Sequence, residues 1–306
     1  MRGYESREQI VQQASLWSLL FVLVSATISQ AAGPYDSKGF LEFPAEVGLG
    51  AMSAVAVDSE DRIFVLHRGE KPLVAFDAAG KYVRAWGEGL FKVAHGLRVD
   101  REGNIWTTDN GNHVLRRFDR EGKLLATIGT EGKAGAGKDG FRAPDDLVFD
   151  SQGNIYVADS GNGRIAKLSA DSKYVAEWGK KGKGLGQFAT AHGLAIDKSD
   201  RIYVADRGNK RIQVFDSAGK HLADYDGFGN PFGLLVVGDE LLASEGDIHK
   251  IFHFDISRGD REGKITASWG DPQTLQLPHL MAVNSKGVLF VAEVNGKRVQ
   301  MFSRAK

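Results

Sequence analysis

Three histidines stand at the same point of three similar segments of this chain. The segments are KVAHGLRVDREGN (Lys92–Asn104), ATAHGLAIDKSDR (Ala189–Arg201) and QLPHLMAVNSKGV (Gln276–Val288). His95, His192 and His279 each come just before a short apolar run. Three histidines with an open fourth position are the ligand set of a catalytic zinc, although imidazole also suits other divalent metals. The pattern therefore predicts a metal site, with Zn²⁺ favoured, if the fold brings these distant segments together.

A repeated unit supplies the elements that must position the histidines. Similar segments recur six times, at spacings of about 40 to 50 residues. They are Val55–Gly87, Leu97–Gly129, Leu147–Gly179 and Leu194–Tyr225, with two degenerate copies at Leu234–Gly270 and Met281–Phe302. Each copy holds three to four short β-branched and aromatic runs separated by turn residues, which is typical of a propeller blade. We therefore predict an all-β fold, a six-bladed β-propeller.

The ends of the repeat array predict how the ring closes. The last copy stops at its third strand, RVQMF (Arg298–Phe302), and lacks a fourth. Upstream of the first copy, SKGFLEFP (Ser37–Pro44) resembles the missing strand. We expect this N-terminal strand to close the ring beside the C-terminal one, so that the propeller occupies residues 37–306.

Repetition separates residues that build blades from residues that build a site. Five residues before the residue that follows each first apolar run, the six blades have Ser53, His95, Asp145, His192, Phe232 and His279. The histidines belong to blades 2, 4 and 6, which lie about 120° apart in a six-bladed ring. Because this position begins the innermost strand, the three imidazoles should converge on the axis. The alternative is that each histidine only makes a hydrogen bond at the top of its blade.

A second position separates scaffold from site in the same way. The acids that end the second strands, Asp109, Asp159, Asp206, Glu245 and Glu293, recur and are assigned to turn and blade-to-blade hydrogen bonds. The residue that follows varies: Arg68, Asn110, Ser160, Arg207, Gly246 and Val294. Arg68 and Arg207 could hold a substrate carboxylate by a two-pronged hydrogen bond, or be surface arginines that pair with acids. His67 replaces the acid in blade 1, so we expect that loop to lose its standard turn bonds.

Composition limits the partners and the compartment. The 39 basic residues balance the 39 acidic ones and there is no cysteine, so we expect no nucleic-acid partner and no disulfide. The apolar run Leu16–Ile28, followed by SQAAG, predicts a signal peptide cleaved after Ala31, or else an uncleaved anchor. We expect a periplasmic or secreted monomer without membrane attachment after cleavage. The histidines outside the triad and His67, which are His113, His221, His249 and His253, are expected to be solvated.

Four motifs carry a resemblance to a known family. They are VLHRG (Val65–Gly69), AHGLRVDREGNIWTTD (Ala94–Asp109), AHGLAIDKSDRIYVADRGNKRIQVF (Ala191–Phe215) and LPH (Leu277–His279). The blades resemble NHL repeats, and the chain from Ser37 to Phe302 resembles the peptidyl-α-hydroxyglycine α-amidating lyase domain. The resemblance implies that His95, His192 and His279 are zinc ligands. It also implies that Arg68 and Arg207 are active-site arginines.

The chain departs from that family at two points. The loop ADSGNGRI (Ala158–Ile165) is one residue shorter and lacks the family's catalytic tyrosine, which leaves the base unassigned; Asp145 is a candidate for the base or for a fourth ligand. Leu280 replaces the family's calcium-binding aspartate, so we expect no calcium. The resemblance implies a zinc lyase that splits a peptidyl-α-hydroxyglycine, a related carbinolamide or a small hydroxy acid. The alternative is a non-catalytic interaction platform with a structural metal in its channel.

Overall fold

Six four-stranded antiparallel sheets make up the described part of the protein. The computed structural model describes residues 34–257 and 263–305. In each sheet the strands lie side by side in the order of the chain, except for the sheet that joins the two ends. The first strands of neighbouring sheets contact one another all the way round, with the sixth meeting the first. The predicted six-bladed propeller is confirmed.

The strands are described from the axis outward. The innermost strands of blades 1 to 6 are β2 (Met52–Val57), β6 (Ala94–Val99), β10 (Pro144–Phe149), β14 (Ala191–Ile196), β18 (Pro231–Val237) and β22 (Pro278–Val283). The second strands are β3 (Ile63–His67), β7 (Ile105–Asp109), β11 (Ile155–Asp159), β15 (Ile202–Asp206), β19 (Glu240–Glu245) and β23 (Leu289–Glu293). The third strands are β4 (Leu73–Phe76), β8 (Val114–Phe118), β12 (Arg164–Leu168), β16 (Arg211–Phe215), β20 (Lys250–Asp255) and β24 (Arg298–Arg304). The outermost strands are β5 (Tyr82–Trp86), β9 (Leu124–Ile128), β13 (Tyr174–Trp178), β17 (His221–Tyr225), β21 (Lys264–Trp269) and β1 (Tyr35–Phe40). Short 3-10 turns span Ala45–Val47, Gly137–Asp139, Ser160–Asn162 and Arg207–Asn209.

The hydrophobic core lies between the blades. An apolar cluster fills each of the six interfaces, and each cluster is built from two neighbouring blades, with Leu280 of blade 6 added to the cluster between blades 1 and 2. A second strand such as β11 is buried along its whole length, whereas an outermost strand such as β9 consists of exposed and half-buried residues. A single blade could not bury both of its faces, and the ring removes that difficulty because every face meets a neighbour.

The Asp-x-x-Gly-Asn turns join the first two strands of a blade. In blade 3, Asp150 Oδ1 accepts the backbone N–H groups of Gln152 and Asn154, each within 2.9 Å. Gly153 adopts a φ of 82°, a conformation that glycine tolerates better than other residues. The short hairpin fixes the register between the innermost and second strands, and so places the start of each innermost strand at the same end of the ring.

The N-terminal strand closes the ring as predicted. β1 pairs antiparallel with β24, with Ser37 opposite Phe302. Beyond the pairing, the Tyr35 ring stacks on Trp269 of blade 5 with a centroid separation of 5.3 Å. Blade 6 is therefore built from both ends of the described chain. Residues 1–31, the predicted signal peptide, lie outside the described residues. Among residues 34–257 and 263–305, no helix has the length and apolar character needed to cross a membrane.

Candidate metal centre

The three predicted histidines converge at one end of the channel. His95, His192 and His279 begin β6, β14 and β22, the innermost strands of alternate blades. Their ring centroids are 4.8, 5.0 and 5.1 Å apart, which is a nearly equilateral triangle. One nitrogen from each ring lies within 4.8 Å of the other two, and all three side chains are buried. This is the geometry expected of three ligands aimed at one ion.

Each histidine ring is oriented by a carbonyl of the next blade. His95 Nδ1 lies 2.8 Å from the Asp145 carbonyl oxygen, His192 Nδ1 lies 2.8 Å from that of Phe232, and His279 Nδ1 lies 2.5 Å from that of Ser53. A carbonyl can only accept, so Nδ1 carries the proton and Nε2 keeps its lone pair. Hydrogen bonds of this kind hold metal-binding histidines in the required tautomer and orientation.

Small residues beside two of the histidines permit these contacts. A Cβ added at Gly96 would lie 2.7 Å from the Asp145 carbonyl oxygen, and one added at Gly193 would lie 2.3 Å from that of Phe232. Glycine after the histidine is therefore required for the close approach of the next blade.

Electrostatics keep the imidazoles neutral. Burial, together with the positive charges of Arg68 and Arg207, lowers the pKa of His95 to about 4 against the opposing effect of the hydrogen bond to the Asp145 carbonyl. Burial lowers the pKa of His192 and of His279 well below the ordinary value, and the charge of His95 adds to the effect. Neutral rings near pH 7 leave three lone pairs available, so the donor set fits a divalent metal ion.

Asp145 lies beside the triangle. Its Oδ1 is 3.8 Å from His95 Nε2, and the side chain accepts hydrogen bonds from Asn110 and Ser160. Burial raises the pKa of this carboxyl group to about 7, even though Ser160, Asn110 and the charge of Arg207 pull it down. The carboxylate is thus close to the three nitrogens and is held by two neighbours from the ends of blades 2 and 3.

Arg68 and Arg207 lie on the same end of the ring, from blades that face each other. Arg68 Nε donates to Ser53 Oγ at 3.1 Å and to the Ala94 carbonyl at 3.2 Å, while the side chain as a whole is exposed. The Arg207 guanidinium stacks on the Phe232 ring at 3.9 Å. Both charges act on the triad, since each lowers the pKa of His95 and of His279. The arginines therefore flank the histidines.

Two further residues border the site and were not assigned a role from the sequence. Phe232 contacts the rings of His192 and His279, at 5.4 and 5.8 Å, and forms an apolar wall between them. Its signal was available, because it occupies the histidine position in blade 5. Lys181 Nζ donates to the Ser160 carbonyl at 2.6 Å. No comparison of blades could find Lys181, since it lies in a connector outside the repeated strands.

The recurrent acids serve as scaffold. Buried Asp206 accepts the backbone N–H of Ala189 at 3.0 Å and bonds the side chains of Asn209, Arg211 and Gln213. It ties the connector that enters the blade to the turn that follows β15. Asp109 and Asp159 hold the corresponding connectors through the amides of Val93 and Arg142.

Blade 1 keeps this turn chemistry, contrary to expectation. His67 Nδ1 accepts the N–H of Gly50 at 3.2 Å and that of Gly69 at 3.0 Å. The ring nitrogen thus replaces the carboxylate oxygen of the other blades, and burial lowers the pKa of His67 to about 4, which keeps it neutral. The expected loss of turn bonds was wrong because a neutral imidazole also offers an acceptor lone pair.

One of the four remaining histidines is not solvated. His253 is 1% exposed, with Nδ1 2.8 Å from Glu240 and Nε2 accepting the Trp269 indole N–H at 2.9 Å. The expectation failed because β20 is a third strand, covered on both faces, and not an edge. His113, His221 and His249 are partly exposed.

The two departures from the resembling family have clear local structures. The short loop after β11 forms the 3-10 turn Ser160–Asn162, where Ser160 is buried and bonds to Asp145. Leu280 is buried in the apolar cluster between blades 1 and 2, and its side chain has no oxygen to offer a cation.

Comparison with known proteins agrees with this architecture. The NHL repeat model matches residues 91–118, 141–168 and 188–215, in blades 2, 3 and 4. The chain is similar to peptidyl-glycine alpha-amidating monooxygenase of Mus musculus, at 29% identity over 53% of this chain and 20% of that protein. It is also similar to peptidyl-alpha-hydroxyglycine alpha-amidating lyase 1 of Drosophila melanogaster, at 29% identity over 30% of this chain and 22% of that protein. The matches span about a fifth of the length of these relatives.

A solved structure supports the fold alone. A streptogramin B lyase has a TM-score of 0.65 against this chain, with 11% sequence identity, and the match covers 89% of this chain and 98% of the other. The chain therefore contains NHL repeats arranged as a six-bladed propeller and resembles proteins named as amidating lyases.

Proposed function

We propose that this NHL-repeat propeller is a metal-dependent lyase that cleaves the C–N bond of a peptidyl-α-hydroxyglycine or a related carbinolamide. The products would be an amide and glyoxylate. The observation that carries the proposal is the convergence of three neutral imidazoles between two arginines. A donor set of three nitrogens leaves a coordination position open, and the arginines supply positive charge beside it.

The reaction needs a Lewis acid and groups that move protons. A metal ion held by His95, His192 and His279, with Zn²⁺ favoured, would act as a Lewis acid that polarises the substrate hydroxyl group. The hydroxyl proton must leave as the carbon–oxygen bond becomes a carbonyl, and the carbon–nitrogen bond breaks with its electron pair on nitrogen. The amide nitrogen then takes up a proton. The balance needs no oxidant or second substrate.

The arginines would bind the carboxylate that becomes part of glyoxylate. Arg207 is the better placed for a two-pronged hydrogen bond, because stacking on Phe232 holds its guanidinium plane at 3.9 Å from the ring centroid. Arg68 is anchored only through Nε in the bonds to Ser53 and Ala94, which leaves the outer part of its guanidinium toward solvent. The two residues approach the triad from opposite blades.

Asp145 would take the proton role that tyrosine has in the resembling family. Its carboxyl group lies beside His95 and is held by Asn110 and Ser160, so a hydroxyl group bound at the triad would be within its reach. The same geometry would allow Asp145 to be a fourth ligand. Replacing Asp145 with Asn separates the two roles, because loss of a base lowers kcat at unchanged metal content, whereas loss of a ligand lowers metal affinity.

Metal analysis and glyoxylate release test the proposal together. The purified protein should hold about one equivalent of divalent metal, and a synthetic peptidyl-α-hydroxyglycine should release glyoxylate at a rate that chelation abolishes and added Zn²⁺ restores. His279→Ala should lose both metal and activity. The matched control is His253→Gln, which alters a buried histidine outside the site and should keep both.

A non-catalytic platform with a structural metal is the competing outcome. In that case the metal would be present in one equivalent, glyoxylate release would stay at background, and His279→Ala would only lower the melting temperature. Such a result would end the enzyme proposal. The signal peptide predicted from the sequence makes export part of the proposal, so the protein would meet its substrate as a periplasmic or secreted monomer.

A further inference from the structure

Two charged residues on the innermost strands break the repeat as clearly as the histidines do. One aligned position reads Ala56, Arg98, Val148, Ala195, Leu235 and Ala282 from blade 1 to blade 6. Another reads Ala54, Gly96, Asp146, Gly193, Gly233 and Leu280. Each position is apolar or small in five blades and charged in one. The two exceptions, Arg98 in blade 2 and Asp146 in blade 3, bond to each other at 2.6 Å.

Their contacts join three consecutive blades. Besides Asp146, the Arg98 side chain donates to the Leu147 carbonyl at 3.1 Å and to the Leu194 carbonyl at 2.9 Å. Asp146 in turn accepts the backbone N–H of Leu194 at 3.0 Å. Leu147 lies on β10 and Leu194 on β14. One guanidinium and one carboxylate thus link the innermost strands of blades 2, 3 and 4.

The linked strands carry two of the three histidines. His95 lies three residues before Arg98 on β6, and His192 lies two residues before Leu194 on β14. Asp145, whose carbonyl orients the His95 ring, is the residue next to Asp146. The side chain of Asp146 is fully buried and that of Arg98 is 15% exposed, so neither group moves freely in water.

We infer that Arg98 and Asp146 are positioning residues that set the separation and orientation of His95 and His192. This inference rests on the proposed function, since it concerns the same metal site. The ion pair fixes three innermost strands against one another, and through the backbone it fixes the two rings and the Asp145 carbonyl. Within residues 34–257 and 263–305, the side-chain hydrogen bonds of Arg98 and Asp146 reach β10 and β14 but not β22, which carries His279.

The decisive variant is the double replacement Arg98→Met with Asp146→Asn. It removes both charges, so no unpaired buried charge remains, and Asn can still accept the Leu194 amide. Outer partners of metal-binding histidines typically change metal affinity by about 10–100-fold. We therefore expect the dissociation constant for Co²⁺ to rise by about 10–100-fold, with an altered visible spectrum of the bound ion.

A measurement on the metal-free protein keeps the inference separate from the proposed function. Long-range ¹H–¹⁵N spectra of the histidine rings should report Nδ1–H tautomers for all three residues in the wild-type protein. In the double variant, mixed tautomers should appear for His95 and His192, while His279 stays unchanged. If the wild-type protein bound no Co²⁺, the proposed function would be lost, but the ring spectra would still decide the positioning role.

Arg116→Met is the matched control. Arg116 is a buried arginine of blade 2 that pairs with Asp109 at 2.9 Å, away from the innermost strands. It should lower the melting temperature and leave Co²⁺ affinity and the histidine spectra unchanged. The inference is overturned if the double variant keeps wild-type Co²⁺ affinity and tautomers. Should the double variant not fold, Arg98→Lys, which keeps the charge but loses the planar fork, is measured in the same way.

Discussion

The acids that end the second strands and the three histidines that begin alternate innermost strands are two sets of polar residues on the same propeller, and they recur around the ring in different ways. The acid position holds Asp or Glu in blades 2 to 6, and Asp109, Asp159 and Asp206 each accept a backbone N–H from the connector that enters their blade. The position of the three site histidines holds Ser53, Asp145 and Phe232 in the three blades that lie between them. Uniform chemistry in a repeat indicates work that every blade must do. Chemistry that alternates around the ring indicates a group that exists only once the ring is closed.

Blade 4 gives the most direct test of this difference, because it contains His192 from one set and Asp206 from the other. His192→Ala should weaken metal binding by more than about 100-fold, beyond the range that loss of an outer partner causes, and reduce glyoxylate release to background. Isothermal titration with Zn²⁺ and the glyoxylate assay measure the two effects. The metal-free protein should unfold only slightly earlier. Retention of full metal affinity would show that the triangle is not the binding site.

Replacement of the scaffold acid of blade 4, Asp206, should lower stability and spare metal binding. Asp206→Ala removes the carboxylate that joins Ala189, Asn209 and Arg211, and leaves Arg211 partly unpaired in the interior. We expect the free energy of unfolding to fall by about 3–5 kcal/mol in urea denaturation. The Zn²⁺ affinity of the folded variant should remain within two-fold of wild type. A variant with normal stability and lost metal would reverse the assignment of the two sets.

The exception in blade 1 predicts a pH dependence. His67 has a folded-state pKa of about 4, lowered by burial from its ordinary 6.5, so the unfolded chain binds the proton first. Its contribution to stability is complete above pH 6.5 and is lost as the pH falls from 6.5 to 4, about 3 kcal/mol in all. Urea denaturation of wild type and His67→Gln across this range measures the difference. A glutamine oxygen accepts at every pH, so the variant should lack this loss.

Asp109 provides the contrast for that experiment. Burial tends to raise its pKa, but hydrogen bonds from Val93, Arg116 and neighbouring amides outweigh burial and leave it below its usual value. Its contribution is therefore present above pH 3.8 and is lost only as the pH falls further. If wild type and the His67→Gln variant lost stability equally between pH 6.5 and 4, His67 would not be the acceptor described.

The smallest expected effect concerns the arginine that follows the scaffold acid. Arg207→Lys keeps the charge but loses the planar fork that stacks on Phe232, so KM should rise by about 10-fold with little change in kcat. Steady-state glyoxylate kinetics measure the change. Arg201→Lys is the control, because Arg201 lies over Tyr203 at the other end of β15. Equal effects of the two replacements would remove Arg207 from the carboxylate site.

The repeated sequence carries most of the fold. Six copies of one strand pattern, separated by turn residues, are sufficient to predict the six blades and the closure of the ring by Ser37–Pro44. The same comparison of blades picked out His95, His192 and His279. The comparison of blades predicts the surroundings of single side chains less well. The environments of His67 and His253 were misjudged, because burial depends on the neighbouring strand and not on the residue itself.

The sequence is enough to show that three histidines alternate with three other residues on equivalent innermost strands. The contacts that this alternation makes are visible only in the closed ring. Each histidine donates Nδ1–H to the carbonyl of the following blade, so its orientation depends on a residue 40 to 50 positions away, or, for His279 and Ser53, at the far end of the array. The physical reason is that backbone carbonyls have no sequence signature. Any residue offers one, and only the closed ring determines which carbonyl meets which ring.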